Sequence, residues 1–390
     1  MRDEPLTVRR VSARSCSLLA LALLACARGA PLLADDHHTV AVLAGRIETL
    51  AGPAVDNGVI LIVDGRIEAV GPDVKVPEGA EVIEARGGAV FPGLVSPATA
   101  LGLSGASGGK PASTPQYRTA DELYPFQDAC KLAARAGFTT LALWTRRPGI
   151  SGEVALARTV ADGPKEMLLS DLGPLAVDFR ADTDTQSAIK GALDGAAKGG
   201  SSGPGGDLLT RAVQGETPLL ITCSGAGDVV RILKLLEPYD KAKPVLICQG
   251  DDVQRVADQL GAKQANVVLP ARIAWERYTR NRINVPRLLA EAGAHVACVP
   301  YGDSVAGYEA YRGAMAELVH GGLTRDAALK AMTILPATML GLDYRLGSLE
   351  KGKDANLVVL SGDLLDARAK VLRVLIEGKT VYNAEWGGLR

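Results

Sequence analysis

The side chains that most often activate water or hold a catalytic metal are scarce in this 390-residue chain and poorly spaced for that work. There are four histidines, His37, His38, His295 and His320, although neutral imidazole is the commonest ligand of catalytic zinc. Two stand together near the N-terminus, and His295 opens HVACVPY, a run that reads as a strand. His320 closes a helical run before Gly321-Gly322, a place where a basic residue complements the helix dipole. The cysteines include no C-x-x-C pair, so they carry no motif for zinc or thiol exchange. Cys223, Cys248 and Cys298 fall on three different predicted strands and thiolates do bind soft metals. Strand alternation, however, turns Cys223 and Cys248 away from the face that carries Thr222, Ser224 and Gln249. Asp121, Glu153, Asp251 and Asp303 are carboxylates that acid–base chemistry could use if two converged. No Gly-x-Ser-x-Gly elbow, His-Glu-x-x-His helix or dinucleotide fingerprint is present.

The elements that would position these residues fall into four stretches. Arg9, Arg10 and Arg14 precede the apolar run SLLALALLACA and small residues follow, which reads as a secretory signal peptide over 1–34 and an exported mature chain. LLAC, ending at Cys26, resembles a lipoprotein box, and only lipidation there would bring the chain to a membrane. The remaining cysteines, Cys130, Cys223, Cys248 and Cys298, read as buried free thiols in a core that needs no staples. Residues 35–91 alternate apolar and polar positions between VDGRI-type turns, the texture of a small β-sheet domain, and 344–390 repeat it with a tight turn at Gly378-Lys379. Residues 92–343 alternate short apolar strands with helical stretches. The strands are GLVSPA, FTTLALW, EMLLSD, LAVDF, PLLITCS, PVLICQG, NVVLPA and HVACVPY, the order expected of an α/β chain with a (β/α)8 barrel. Residues 119–136 have a helical period, and the Gly-rich 191–207 reads as a surface loop. Neither that loop nor GGKP at 108–111 has the strand and Lys-Ser/Thr of a phosphate cradle. The net charge of −1 gives no reason to expect nucleic acid as a partner.

Long segments of the chain resemble the amidohydrolase superfamily, in particular its exported imidazolonepropionase-like group. PGLVSPATALGL resembles the family's first barrel strand, and TPQYRTADELYPFQDACKLAARAGFTTLALWTRRPGISGE its second-strand region. LTRDAALKAMTILPATMLGLDYRLGSLEKGKDANLVVLSGDLLD resembles the stretch that returns the chain to its sheet domain, with Leu335-Pro336-Ala337 and Gly352-Lys353-Asp354-Ala355-Asn356 at the motif positions. The resemblance spans residues 39–386 and implies a (β/α)8 barrel with a composite β-sandwich made from both ends of the chain.

It also implies a metal site, and the ligand positions depart from the pattern one by one. Ala98 and Ala100 stand where the first strand's His-x-His belongs. Thr222, Cys223 and Ser224 replace the fifth-strand histidine segment, and Gln249 replaces the sixth-strand histidine. No lysine lies between Lys165 and Lys190 to bridge two metals. Tyr301 occupies the register of the eighth-strand aspartate, with Asp303 two residues on as the one weak catalytic candidate. Zinc lowers the pKa of bound water from about 15.7 to about 7, about 12 kcal/mol in the cost of hydroxide at neutral pH. Neutral hydroxyls and an amide do not replace that. The expectation is therefore a protein of this fold without its metal or other cofactor, a pseudoenzyme that binds a small molecule in a pocket at Ala98, Ala100, Thr222, Ser224, Gln249 and Tyr301, or that acts as a scaffold. The alternatives are an active, zinc-dependent hydrolase of non-peptide C–N bonds in a small amide, and a structural subunit whose pocket is filled by side chains. Oligomeric state is not legible.

Overall fold

β1 (Thr39–Ile47) pairs antiparallel with β2 (Val55–Val63), which turns through Asp64 and Gly65 into β3 (Arg66–Gly71). Both turn residues have positive φ, 50° and 81°, the two-residue hairpin geometry that Asp-Gly favours. β4 (Glu81–Pro92) runs parallel to β1, and the register slips at Gly45, where a Cβ would lie 2.3 Å from the Arg86 carbonyl oxygen. The computed structural model describes residues 38–103, 112–124, 127–199, 205–276, 279–386 and 388–389. The signal-peptide reading of 1–34, Cys26 and GGKP at 108–111 lie outside the described residues.

The middle of the chain supplies β5 (Leu94–Thr99), β6 (Ala112–Ser113), β7 (Phe138–Leu143), β8 (Gly149–Glu153), β9 (Ala155–Arg158), β10 (Leu175–Asp178), β11 (Leu219–Cys223), β12 (Pro244–Cys248), β13 (Asn266–Pro270), β14 (Ala274–Trp275), β15 (Arg282–Ile283) and β16 (His295–Val299). This is an α/β arrangement: β10, β11, β12, β13 and β16 form one parallel sheet, with helices between successive strands. β5 and β7 are parallel, β9 is antiparallel to β7, and β6 pairs with β8. Among the described residues these ladders do not close into one barrel, and the sheets are mixed. The departure from regular alternation is local. EMLLSD, predicted as a strand, instead begins in the last two residues of a short helix, Pro164–Met167, whose proline sits at the first turn, where the missing N–H is harmless, and Leu168 makes only an isolated bridge to Ala157. β9 pairs with β7 in its stead, and the short segment between them holds β8 but no helical crossover to return the chain parallel.

One apolar cluster nevertheless draws a side chain from each of β5, β7, β9, β10, β11, β12, β13 and β16, from Val95 through Leu220 to Ala297. Alternate residues of the same strands, Leu141, Ile221 and Val267 among them, pack outward against the helices in a second cluster. That alternation separates an interior from a helix-facing layer. The helix predicted over 119–136 is two pieces, a 3-10 turn Thr119–Glu122 and a helix Asp128–Arg135. Pro125 disfavours helical backbone at the residue before it, which breaks the periodic run. The Gly-rich segment is only partly loop: the helix Thr183–Ala197 runs through Gly191 and Gly195, and the next begins at Gly206.

β17 (Leu357–Leu360), β18 (Val371–Ile376), β19 (Lys379–Asn383) and β20 (Gly388–Leu389) return to the first sheet. β17 pairs antiparallel with β4, so both ends of the described chain share one eight-stranded sheet in the order β20-β19-β18-β17-β4-β1-β2-β3. Glu377 and Gly378, with φ of 47° and 75°, form the β18–β19 turn. The two hairpin tips are laced to the Asp354–Asn356 loop: Ala355 N donates to the Gly65 carbonyl at 2.8 Å, Gly378 N to the Ala355 carbonyl at 3.0 Å, and Glu377 N to Asn356 Oδ1 at 2.8 Å. Arg345 joins the same region, donating to Asp354 Oδ2 at 2.7 Å and to the Leu169 carbonyl at 2.9 Å.

Candidate functional site

The carboxyl-terminal ends of the strands open into two adjoining cavities. The one over the apolar interior has a volume of about 550 Å³; Ala98, Ile247, Val268 and Val299 line its floor, and Gln249, Arg146, Arg272 and Asp303 are its polar side chains. Tyr301 stands at its edge, 63% exposed, with its ring 4.6 Å from the Arg272 guanidinium carbon. The second cavity, about 430 Å³, is lined by Ser224, Asp228, Gln249, Asp251, Asp252 and Trp275, among others. A cavity of this size with an apolar floor and a few polar groups has the make-up of a small-molecule site.

Each flanking element places its residue for a local reason. After β16 the chain turns at Gly302, whose φ of 90° suits glycine, before Ser304 caps the helix Val305–His320 by accepting from Gly307 N at 3.2 Å. Asp303 is held in that turn: Thr99 Oγ1, at the end of β5, donates to Asp303 Oδ1 at 2.7 Å, and Leu101 N donates to Thr99 Oγ1 at 3.1 Å. Asp303 is thereby brought to the mouth despite lying out of register.

Ala98, Gln249, Tyr301 and Asp303 share the first cavity, and Ser224 joins only Gln249 in the second. Ala100 lines neither, its carbonyl being taken by Leu103 N at 3.0 Å. Thr222 is buried beneath the mouth and donates to Asp178 Oδ1 at 2.6 Å. Asp178, at the end of β10 and only 8% exposed, also accepts from Arg180, and sequence reasoning passed over it. The signal was available, because Asp178 shares the parity of Ala176, which faces the interior. Arg146 was likewise missed, since it follows β7 in a loop with no motif around it.

Of the other residues considered, Asp251 lines the second cavity and the rest lie elsewhere. Glu153 pairs with Arg118 at 3.0 Å, Asp251 pairs with Arg272 at 2.6 Å, and Asp121 is exposed on its 3-10 turn. His295 is at the opposite, amino-terminal end of β16 beside Asn266, and His320 is exposed at the end of its helix. Cys223, Cys248 and Cys298 point outward into the helix-facing core, with the first two sulfurs 2.9 Å apart. Burial pushes the Cys298 thiol up to about 12, and the contact with Cys223, then burial, pushes Cys248 well up, so neither offers a ready thiolate. Among the described residues no three His, Cys, Asp or Glu side chains come together as a metal would need.

Residues 206–382 match the model of the amidohydrolase family. A 64-residue stretch is 39% identical to the amidohydrolase tasK of Hapsidospora irregularis, covering 16% of this chain and 6% of that protein. An amidohydrolase from Thermotoga maritima superposes with a TM-score of 0.76 at 20% identity, over 88% of this chain and all of that one. An adenosine deaminase from Xanthomonas campestris with bound zinc superposes with a TM-score of 0.56 at 18% identity, over 88% of this chain and 93% of that one.

Proposed function

We propose, from the match of residues 206–382 to the amidohydrolase family model, that the chain is an amidohydrolase-family protein and a metal-free pseudoenzyme whose strand ends form a small-molecule binding site. Family members usually carry a metal such as zinc. The residues here do not fit one: Ala98 and Ala100 offer methyl groups, Thr222 is committed to Asp178, and Gln249 is a neutral amide. The observation that carries the reading is that Ala98 packs against the apolar interior cluster and also lines the 550 Å³ cavity above it. The fold is read as an eight-stranded barrel, residues 92–343, carried on a composite sheet domain of 35–91 and 344–390. Support comes from the single cluster to which eight strands contribute.

Metal analysis of the purified chain, with thermal unfolding before and after chelation, tests this reading. Substoichiometric zinc, an unchanged midpoint and no turnover of simple amides or lactams are expected. One zinc per chain, lost together with amide hydrolysis on chelation, would establish the active-hydrolase alternative instead.

A further inference from the structure

Three charged side chains, Arg146, Arg272 and Asp303, line the first cavity, and two already have partners. Arg272 is neutralised by Asp251 at 2.6 Å and stacked against Tyr301. Asp303 accepts from Thr99. Arg147, next in the chain to Arg146, lies over the Tyr117 ring at 3.9 Å and within 4.0 Å of Glu122. Arg146 lines the cavity half-buried, and among the described residues it makes no hydrogen bond, ion pair or ring contact. A guanidinium partly withdrawn from water, with five donors and no acceptor beside it, is matched by a planar anion that takes two of them at once.

We propose that the mouth cavity binds a small organic monocarboxylate, with Arg146 receiving the carboxylate and the Ala98–Ile247–Val268–Val299 floor receiving an apolar body. The chemistry favours one negative charge, because one cation is free while Arg272 is already balanced. A phosphate dianion would need a second unpaired cation at the same wall, and the cavity's lining supplies none among the described residues. The floor excludes a purely polar anion as the best fit, since four aliphatic side chains gain from contact only if the ligand has apolar surface to bury. Gln249, the lining's neutral amide, can donate to a second ligand oxygen. This assignment rests on the reading of the strand ends as a ligand site and adds the class of ligand.

Calorimetry on the full chain with benzoate, hexanoate and indole-3-acetate, each against its primary amide, tests it. At least one carboxylate is expected to bind with millimolar affinity and at least tenfold more tightly than its amide. Arg146→Ala should weaken that carboxylate at least tenfold and leave the amide unchanged, while Arg146→Lys should restore part of the loss. Arg86→Ala, at an exposed strand position where the side chain pairs with Glu84, serves as the control for net charge and should bind like the parent chain. Equal binding of acid and amide, or an Arg146→Ala variant that binds carboxylate normally, would overturn the carboxylate assignment while leaving a ligand site at the mouth. Binding by none of the six compounds would overturn both. Circular dichroism of each variant confirms that lost affinity is not lost fold.

Discussion

Thr99 and Asp303, 204 positions apart in the chain, are joined by a hydrogen bond of 2.7 Å that ties the end of β5 to the turn after β16. Among the described residues no backbone ladder links those two strands, so side chains hold this seam. Tyr308 adds a second tie, donating to Ser96 at 3.2 Å. Thr99→Val removes a charge-assisted bond and leaves the buried Leu101 N–H without its acceptor. It should destabilise the chain by about 2 kcal/mol in urea unfolding. Asp303→Ala should cost less, because Thr99 keeps Leu101. A Thr99→Val midpoint equal to that of the parent would mean the seam is not closed by this pair in solution.

Beneath the mouth, the Asp178 carboxylate is buried and depends on two partners among the described residues. Thr222→Val deletes its 2.6 Å donor and leaves, among the described residues, only Arg180, at 3.3 Å and 3.4 Å and itself half solvated. The expected loss is about 2 kcal/mol, against under about 1 kcal/mol for Arg180→Ala, whose ion pair is largely screened. Parallel denaturant titrations decide the order, and a larger effect for Arg180→Ala would contradict it.

Arg345 is expected to matter more than either. Its guanidinium faces Asp354, whose side chain is 2% exposed, reaches Glu377 at 3.2 Å and caps the Leu169 carbonyl. Arg345→Met would leave the Asp354 carboxylate, in a low-dielectric site, with only the longer 3.5 Å contact to the half-solvated Arg66 among the described residues, at a cost of about 2–3 kcal/mol. Asp354→Asn in the same background should recover part of it. A double-mutant cycle with no coupling between the two would refute the pairing.

Two helical glycines should respond oppositely to alanine. In the helix Ala257–Ala262, a Cβ on Gly261 would meet the Ala292 carbonyl oxygen at 1.9 Å, so Gly261→Ala forces the two segments apart and should cost about 2 kcal/mol. Gly191, exposed in the helix Thr183–Ala197, has nothing within 4 Å, and Gly191→Ala should stabilise by about 0.5–1 kcal/mol. Thermal midpoints moving the same way in both variants would contradict the packing at Gly261.

Asp182 gives a pH dependence with a defined sign. Its carboxylate accepts from Thr185 N at 2.8 Å and from Thr185 Oγ1 at 2.9 Å at the start of the helix Thr183–Ala197. The backbone bond first, and the hydroxyl second, lower its pKa below the ordinary value. A depressed folded-state pKa contributes stability that is present above the unfolded value of about 3.9 and is lost as pH falls through the folded value. The destabilisation caused by Asp182→Ala should therefore be largest near neutrality and shrink below about pH 4. An effect of equal size at pH 7 and pH 3 would assign the cap to geometry without charge.

Seven of the eight predicted strands of residues 92–343 were legible because each is a short apolar run bounded by turn residues. EMLLSD satisfied the same rule and failed, since the helix begun at Pro164 runs into its first residues, and β9, which has no β-branched residue, carries no strong strand signal. At the site, alternation correctly turned Cys223 and Cys248 outward and Thr222 inward. It equally pointed to Asp178, which lies in the lysine-free stretch between Lys165 and Lys190. Asp303 lay out of register, and only the left-handed turn at Gly302 and the Thr99 bond reveal its place. Arg146 depends on which neighbouring charges are already paired, a property of the folded surroundings that no linear spacing carries.

The seam between β4 and β17 has a temporal consequence. Residues 81–92 leave the ribosome long before 357–360, yet they lie side by side in the finished sheet. Until the last strands emerge, β4 presents an unsatisfied backbone edge of the kind that recruits foreign strands. Sequence-distant pairing of this sort is slow to form. Chains truncated before Leu357 should therefore aggregate rather than accumulate as a folded intermediate, and elongation past that point sets when the N-terminal sheet becomes safe from its neighbours.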